Sequence, residues 1–367
     1  APSRLQSTHT HYLAQQLSMW SDSAFLHKTL PSVWQRRGAA AWLLRPLSAL
    51  YGWGWQWQRQ RLLGQQRKRL PVPVLVVGNV IAGGAGKTPA TISIVQHFQS
   101  IGVPVGIVSR GYGRVANAPE CVVITPDTDA AIGGDEPVLI HLRTGAPVVV
   151  CADRMHAGRE LCKLFPEVRL IVCDDGLQHH NLLRDGEVCV MDERGIGNGW
   201  LLPAGPLREP WPRRTDILLQ TAPPDEPFPI PAGQAVYQAK RRLHDHAVRA
   251  DGLQFDLQKW IANKQPIIAT AGIAQPERFF KMLEELGLNI VERHPLPDHV
   301  NHDTLVAMSR QWMPQRLPVL CTEKDAVKLW DCMPQAWAIP LVLEPEMPFF
   351  AALTAWWLRQ TEKAAAA

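Results

Sequence analysis

From position 71 to about 220, short runs that are almost wholly apolar alternate with longer stretches whose apolar residues recur every three or four places. The runs fall at 72–77, 103–108, 122–124, 148–150, 170–173, 188–191 and 217–220, and each predicts a strand. A strand that is apolar on both sides must be covered on both sides, so these runs predict a mostly parallel sheet flanked by helices. Sheets of this kind hold their ligands at the carboxyl ends of the strands. Next comes a proline-rich stretch with Pro223, Pro224, Pro227, Pro229 and Pro231, which predicts a loop or linker. A smaller α/β segment follows, from about Tyr237 to Phe349, with strands at 266–270 and 317–321 and a helix near 276–286.

The polar residues that follow the strands carry the chemistry. Gly83-Gly84-Ala85-Gly86-Lys87-Thr88 succeeds the first run and precedes Pro89 and the helix-spaced Ile92, Ile94, Val95 and Phe98. Strand, glycine-rich turn, Lys-Thr and helix predict a phosphate-binding loop, whose backbone N–H groups and helix dipole cradle an anion. Lys87 would reach the β- and γ-phosphates of a nucleotide, and the Thr88 hydroxyl would ligate Mg²⁺. Ile81 stands where the usual pattern has its leading glycine; the other reading is a glycine-rich turn that binds nothing. Asp174-Asp175 directly follows the run at 170–173, where a carboxylate would hold Mg²⁺; a solvated turn or helix cap is the alternative. Gln178 and His179 lie beside the same mouth. Asp135-Glu136 follows Gly133-Gly134 and precedes Pro137, which makes a carboxylate there a candidate general base, a helix start, or both. Arg110 and Arg114 could clamp phosphate groups. Arg208 could stabilise transferring phosphate charge or simply pair with Glu209.

The segment before this core is different. No acidic residue lies between Asp22 and Glu120, while Arg36, Arg37, Arg45, Arg59, Arg61, Arg67, Lys68 and Arg69 alternate with Trp34, Trp42, Trp53, Trp55 and Trp57. Such a patch fits nucleic acid, an anionic membrane or a solvated face. Two apolar stretches flank Arg45-Pro46, and neither reaches the roughly 20 residues a membrane span needs. Tryptophan and arginine on short amphipathic helices predict an in-plane membrane contact, against the alternative of a helical pair packed on the protein itself. No nucleic-acid module accompanies the patch. The chain of 367 residues has 46% apolar and 20% charged residues, as in a globular protein. Its seven cysteines form no C-x-x-C pair and predict reduced thiols, without zinc or disulfides. No secretory leader is visible in the opening residues. The expected organisation is therefore an N-terminal extension (1–30), an interfacial helical segment (31–70), a P-loop NTPase-like core (71–232) and a smaller C-terminal α/β domain (233–367).

The ordered set Val77-Gly78-Asn79 through Gly83-Gly84-Ala85-Gly86-Lys87-Thr88-Pro89, Ser109-Arg110-Gly111-Tyr112-Gly113, Gly134-Asp135-Glu136-Pro137, Asp174-Asp175-Gly176-Leu177-Gln178-His179, Leu202-Pro203-Ala204-Gly205-Pro206-Leu207-Arg208-Glu209 and Thr322-Glu323-Lys324-Asp325-Ala326-Val327-Lys328 resembles the tetraacyldisaccharide 4′-kinase family of lipid A biosynthesis. The resemblance implies ATP- and Mg²⁺-dependent phosphoryl transfer to the 4′-hydroxyl of a tetraacylated glucosamine disaccharide 1-phosphate, giving lipid IVA. It implies a peripheral enzyme on the cytoplasmic face of a Gram-negative inner membrane, with no nucleic-acid or obligate protein partner. It further implies Asp135 as base, His299 as the histidine that orients it, and Lys87 on the phosphates. Asn79, Gly83, Gly84, Ala85, Gly86, Thr88 and Pro89 would bind the nucleotide, with Thr88, Glu136, Asp174 and Asp175 at the metal. Arg110, Gln178, His179 and Arg208 would line the phosphate and substrate side. The rival class is a membrane-associated P-loop ATPase switch; those resemble this loop but carry a lysine where Ala82 stands. A nucleotide-binding module without turnover would have no use for an Asp135 base.

Overall fold

The structure, a computed structural model, describes residues 30, 32–63, 69–115, 117–297 and 300–365. Its strands are β1 (Val74–Gly78), β2 (Val105–Ser109), β3 (Cys121–Ile124), β4 (Val148–Cys151), β5 (Leu170–Asp174), β6 (Gly186–Met191), β7 (Ile217–Gln220), β8 (Val236–Leu243), β9 (His246–Val248), β10 (Gln254–Asp256), β11 (Pro266–Ala271), β12 (Asn289–Pro295), β13 (Val319–Thr322), β14 (Trp337–Ile339) and β15 (Leu341–Pro345). Its helices are α1 (Ala39–Leu63), α2 (Lys87–Ser100), α3 (Ala130–Gly133), α4 (Asp135–Thr144), α5 (Arg154–Leu164), α6 (Leu257–Ala262), α7 (Pro276–Glu285), α8 (His302–Trp312), α9 (Glu323–Leu329) and α10 (Met347–Ala365).

A large sheet runs β15-β8-β7-β6-β1-β5-β2-β4-β3, parallel except at its two ends, where β3 and β15 are antiparallel to their neighbours. The all-apolar runs explain themselves here. Leu75, Val77, Val172 and Val190 point to one face, under Ile94 and Phe98 of α2 and Phe349 and Leu353 of α10. Val74, Val76, Ile171 and Cys189 point to the other, with Met155 and Leu161 of α5. The second sheet, β10-β9-β14-β13-β11-β12, has its own core around Phe279, Phe280 and Leu283.

The proline-rich stretch is not where the chain changes sheet. β8 still belongs to the large sheet, and β15 and α10 return to it, so the crossings fall between Leu243 and His246 and between Ile339 and Leu341. Composition marks the loop, whereas strand pairing decides which sheet a segment joins.

The expected pair of short N-terminal helices is one continuous helix, α1, with Pro46 inside it. Pro46 lacks an N–H and frees one carbonyl a turn earlier, a tolerable loss because Pro46 lies on the exposed side. The opposite side is pinned to the core: Ser48 Oγ donates to Leu201 O (2.5 Å), and the Tyr51 hydroxyl donates to Arg208 O (2.9 Å). A second departure concerns the thiols. Cys121 and Cys151, register partners across β3 and β4, form a disulfide with Cα atoms 4.4 Å apart.

Candidate active site

The parallel register of β1 and β5 sets Val77 beside Asp174, so the glycine-rich loop and the acidic pair leave adjacent strands at the same edge. Gly83 and Gly86 have φ of 87° and 83°, a left-handed conformation that side chains resist, and Gly86 caps α2. The first turn of α2, Lys87-Thr88-Pro89, thus presents N–H groups with no partner in the helix, and Pro89 costs nothing there. Ile81 takes the place of a leading glycine because its side chain is buried and its backbone bridges to Leu207. Ala82 N–H donates to Pro206 O (2.8 Å) and Arg208 N–H to Val80 O (2.8 Å), so the segment 201–208 braces the loop from behind.

Lys87 Nζ lies 3.3 Å from Asn79 Oδ1 and 3.7 Å from Asp175 Oδ1. Asn79 is fully buried and donates to Gly83 O (3.2 Å), so it aims Lys87 and shapes the loop from underneath. Ala85 is likewise fully buried, and its side chain packs inward. Arg194, which sequence reading missed, donates to Gly84 O (2.6 Å) and is held by Asp192 (2.7 Å).

Asp174 Oδ1 accepts from Thr91 Oγ1 (2.9 Å), while Oδ2 is buried with no hydrogen-bond partner. Burial, and then the charges of Glu136 and Asp175, push the Asp174 carboxyl up to about 7 against the pull of Lys87 and the Thr91 bond. Asp175 goes the other way. Burial opposes ionisation, but Lys87 and Arg208 outweigh it and hold the carboxyl well below the usual range. Asp174, with its orphaned buried oxygen, therefore feels the charges of both Glu136 and Asp175. An all-oxygen set of this charge fits a hard divalent cation such as Mg²⁺, with Thr88 one residue beyond Lys87 at the helix start.

Arg208 turns toward the acidic pair. Its Nη1 reaches Asp175 Oδ1 and Oδ2 (3.2 and 3.3 Å) and Gln178 Oε1 (3.4 Å), so it does not pair with Glu209. Glu209 is buried and accepts from Gln178 Nε2 (3.0 Å), which also donates to Asn79 O (2.9 Å). His179 lies 3.9 Å from Asp153, and burial followed by the Arg154 charge pushes its imidazole down to about 4, keeping it neutral. Arg110 is exposed at the end of β2, close enough to Arg154 to feel its charge. Arg114 is not available as a clamp: it donates to Ile132 O (2.7 Å) and to Pro119 O.

Asp135 opens α4 behind the left-handed Gly134 (φ 89°) and is 2% exposed. Its carboxylate meets Lys328 Nζ at 2.6 Å, and Glu136 meets Lys324 Nζ at 3.6 Å. Both lysines stand on α9, four residues apart and so on one face. Their spacing was legible, but nothing in it said which carboxylates they would meet. Arg154, the other residue missed, follows β4 and is 4% exposed; its Nε is buried without a partner, and it feels Asp174 and Asp175. A polar residue just past a strand end was the available signal. His299 lies outside the described residues.

The family of tetraacyldisaccharide-1-P 4′-kinases matches residues 40–357. A tetraacyldisaccharide 4′-kinase of Acidovorax sp. (strain JS42) is 46% identical over 333 residues, 90% of this chain and 94% of that one. One from Polaromonas naphthalenivorans (strain CJ2) is also 46% identical, over 89% of this chain and 94% of its own. The crystal structure of LpxK from Aquifex aeolicus in complex with ATP superimposes with a TM-score of 0.73 at 26% identity, covering 87% of this chain and 99% of that one. The chain belongs to the tetraacyldisaccharide-1-P 4′-kinase family. It has the P-loop kinase fold expected of it and is a phosphotransferase acting on a hydroxyl group. Nothing in these likenesses supports the ATPase switch. Among the described residues no helix is long and apolar enough to cross a membrane.

Proposed function

We propose that this pocket transfers the γ-phosphate of ATP to the 4′-hydroxyl of tetraacyldisaccharide 1-phosphate, with Asp135 taking the proton of that hydroxyl. The observation that carries the reading is the convergence of Lys87, the Asp174–Asp175 pair and the buried Asp135–Lys328 pair on one edge of the sheet. Lys328 pairs with Asp135 and aims it, so the base can accept a proton without rearranging. Lys87 and Arg208, both on Asp175 before substrate arrives, can pass to phosphoryl oxygens as charge spreads over them. Mg²⁺, held by Asp174, Asp175, Glu136 and Thr88, would neutralise phosphate charge. Arg110, Gln178 and neutral His179 would line the acceptor side, with His299 oriented on Asp135.

We also assign α1 to the cytoplasmic face of the Gram-negative inner membrane. Trp42, Leu43, Leu47, Leu50, Trp53 and Trp57 are all exposed along one side of it, beside Arg59 and Arg61 stacked on Trp55 and Trp57. An anionic surface attracts these arginines at about 1 kcal/mol each. In this reading α1 meets the lipid, the glycine-rich loop the nucleotide, and the lysines of α9 the base. Asp135→Asn tests the assignment. It should lower kcat by about 10²-fold or more with KM for ATP little changed; a loss confined to ATP binding would move Asp135 into the metal site.

A further inference from the structure

At the β3 edge of the large sheet, three elements bring sulfur and imidazole together. Cys121 begins β3, Cys151 ends the neighbouring β4, and His156 stands in the first turn of α5. His156 Nδ1 lies 3.7 Å from Cys121 Sγ and 3.8 Å from Cys151 Sγ. Glu120 Oε1 lies 3.6 Å from the same nitrogen. A disulfide needs no imidazole nitrogen set equally far from both its sulfurs, nor a carboxylate against that same nitrogen. A tetrahedral ion needs both: metal–sulfur bonds of about 2.3 Å and metal–nitrogen bonds of about 2.0–2.1 Å put neighbouring donors roughly 3.3–3.8 Å apart. The two sulfurs and the nitrogen lie within 4.8 Å of one another, the sulfurs on strands whose register fixes them and the nitrogen on α5.

We propose that reduction of the Cys121–Cys151 disulfide opens a site for a borderline-soft divalent cation of the zinc class, held by both thiolates, His156 Nδ1 and the Glu120 carboxylate. The chemistry balances with a dithiol as reductant. It passes two electrons and two protons to the disulfide and leaves as its own disulfide, and the two new thiols release their protons to solvent as two metal–sulfur bonds form. Thiolate and imidazole separate this site from the phosphate pocket, whose oxygen donors suit a hard ion. Disulfide and metal would tie the same places: the edge strand β3 to the end of β4, which runs on into Asp153, the cap of α5, and buried Arg154.

Cobalt titration of the full-length protein, reduced with a phosphine and stripped of metal, tests this. One equivalent of Co²⁺ should give near-ultraviolet thiolate charge-transfer absorption and tetrahedral visible bands, both erased by Zn²⁺. The bands should vanish in Cys121→Ser, and His156→Ala, a change at a half-exposed side chain, should weaken Co²⁺ binding about tenfold or more. Absence of thiolate bands in the reduced protein would overturn the site. So would bands that persist with both Cys121 and Cys151 changed to serine, since another thiol would then be the ligand.

Discussion

At Asp174 one proton and one metal ion compete for the same carboxylate. Its value of about 7 lies above the ordinary 3.8, so the metal-free fold favours the protonated form, and that contribution to stability is lost as pH rises through about 7. Mg²⁺ needs the ionised form. Its affinity should therefore fall about tenfold for each pH unit below 7, with one proton released on binding; calorimetry giving equal affinity at pH 6 and pH 8 would contradict this. Lys328→Met removes the cation that pairs with and aims buried Asp135. It should lower kcat about tenfold or more while KM for ATP stays put, and an unchanged kcat would show that Lys328 only holds the fold. These residues were unequally legible. Lys87 and Asp174 declare themselves because loop and strand are contiguous in sequence. Arg154, Lys324 and Lys328 act through neighbours far along the chain, and only strand order and helix packing reveal which carboxylates they face.

α1 shows how much a single element carries and how far a pattern can mislead about one. Its composition pointed to a lipid surface, and the exposed tryptophans and leucines lie along one side, while Ala41 and Ser48 on the other side are buried. The break expected at Pro46 does not occur, because proline's cost depends on whether the freed carbonyl faces solvent, which sequence spacing does not tell. Replacing Trp42 and Trp53 by serine should reduce partition onto vesicles containing anionic phospholipid by about tenfold or more, from about 1.5–3 kcal/mol per buried side chain. Thermal stability should change little, since Trp53 is exposed and Trp42 loses only its edge-on contact with Trp200. Sedimentation with vesicles at the unaltered level would move the membrane contact elsewhere.

The whole molecule is two sheets joined by two chain crossings and by α4 against α9. Arg143 Nη1 donates to both oxygens of Glu323 (2.7 Å each), and Glu323 also accepts from Leu341 N–H (3.1 Å), beside one of those crossings. Arg143→Ala should cost about 1–3 kcal/mol in denaturant unfolding, since it strands a partly buried carboxylate. It should also lower phosphoryl transfer by loosening the lysines on Asp135 and Glu136; unchanged stability and turnover would show that the contact is incidental. The strand runs predicted the core of the large sheet, because burial on both faces leaves an unbroken apolar signature. β8, β12 and β15 escaped notice: half-exposed strands such as β12, alternating Asn289, Val291 and Arg293 outward, lack that signature. The central claim is that one pocket moves phosphate from ATP to a lipid hydroxyl. Its most direct test follows the labelled γ-phosphate of ATP, with Mg²⁺ and mild detergent, onto tetraacyldisaccharide 1-phosphate. Labelled bis-phosphorylated lipid that disappears in Lys87→Ala is the expected result; free phosphate without labelled lipid would contradict it.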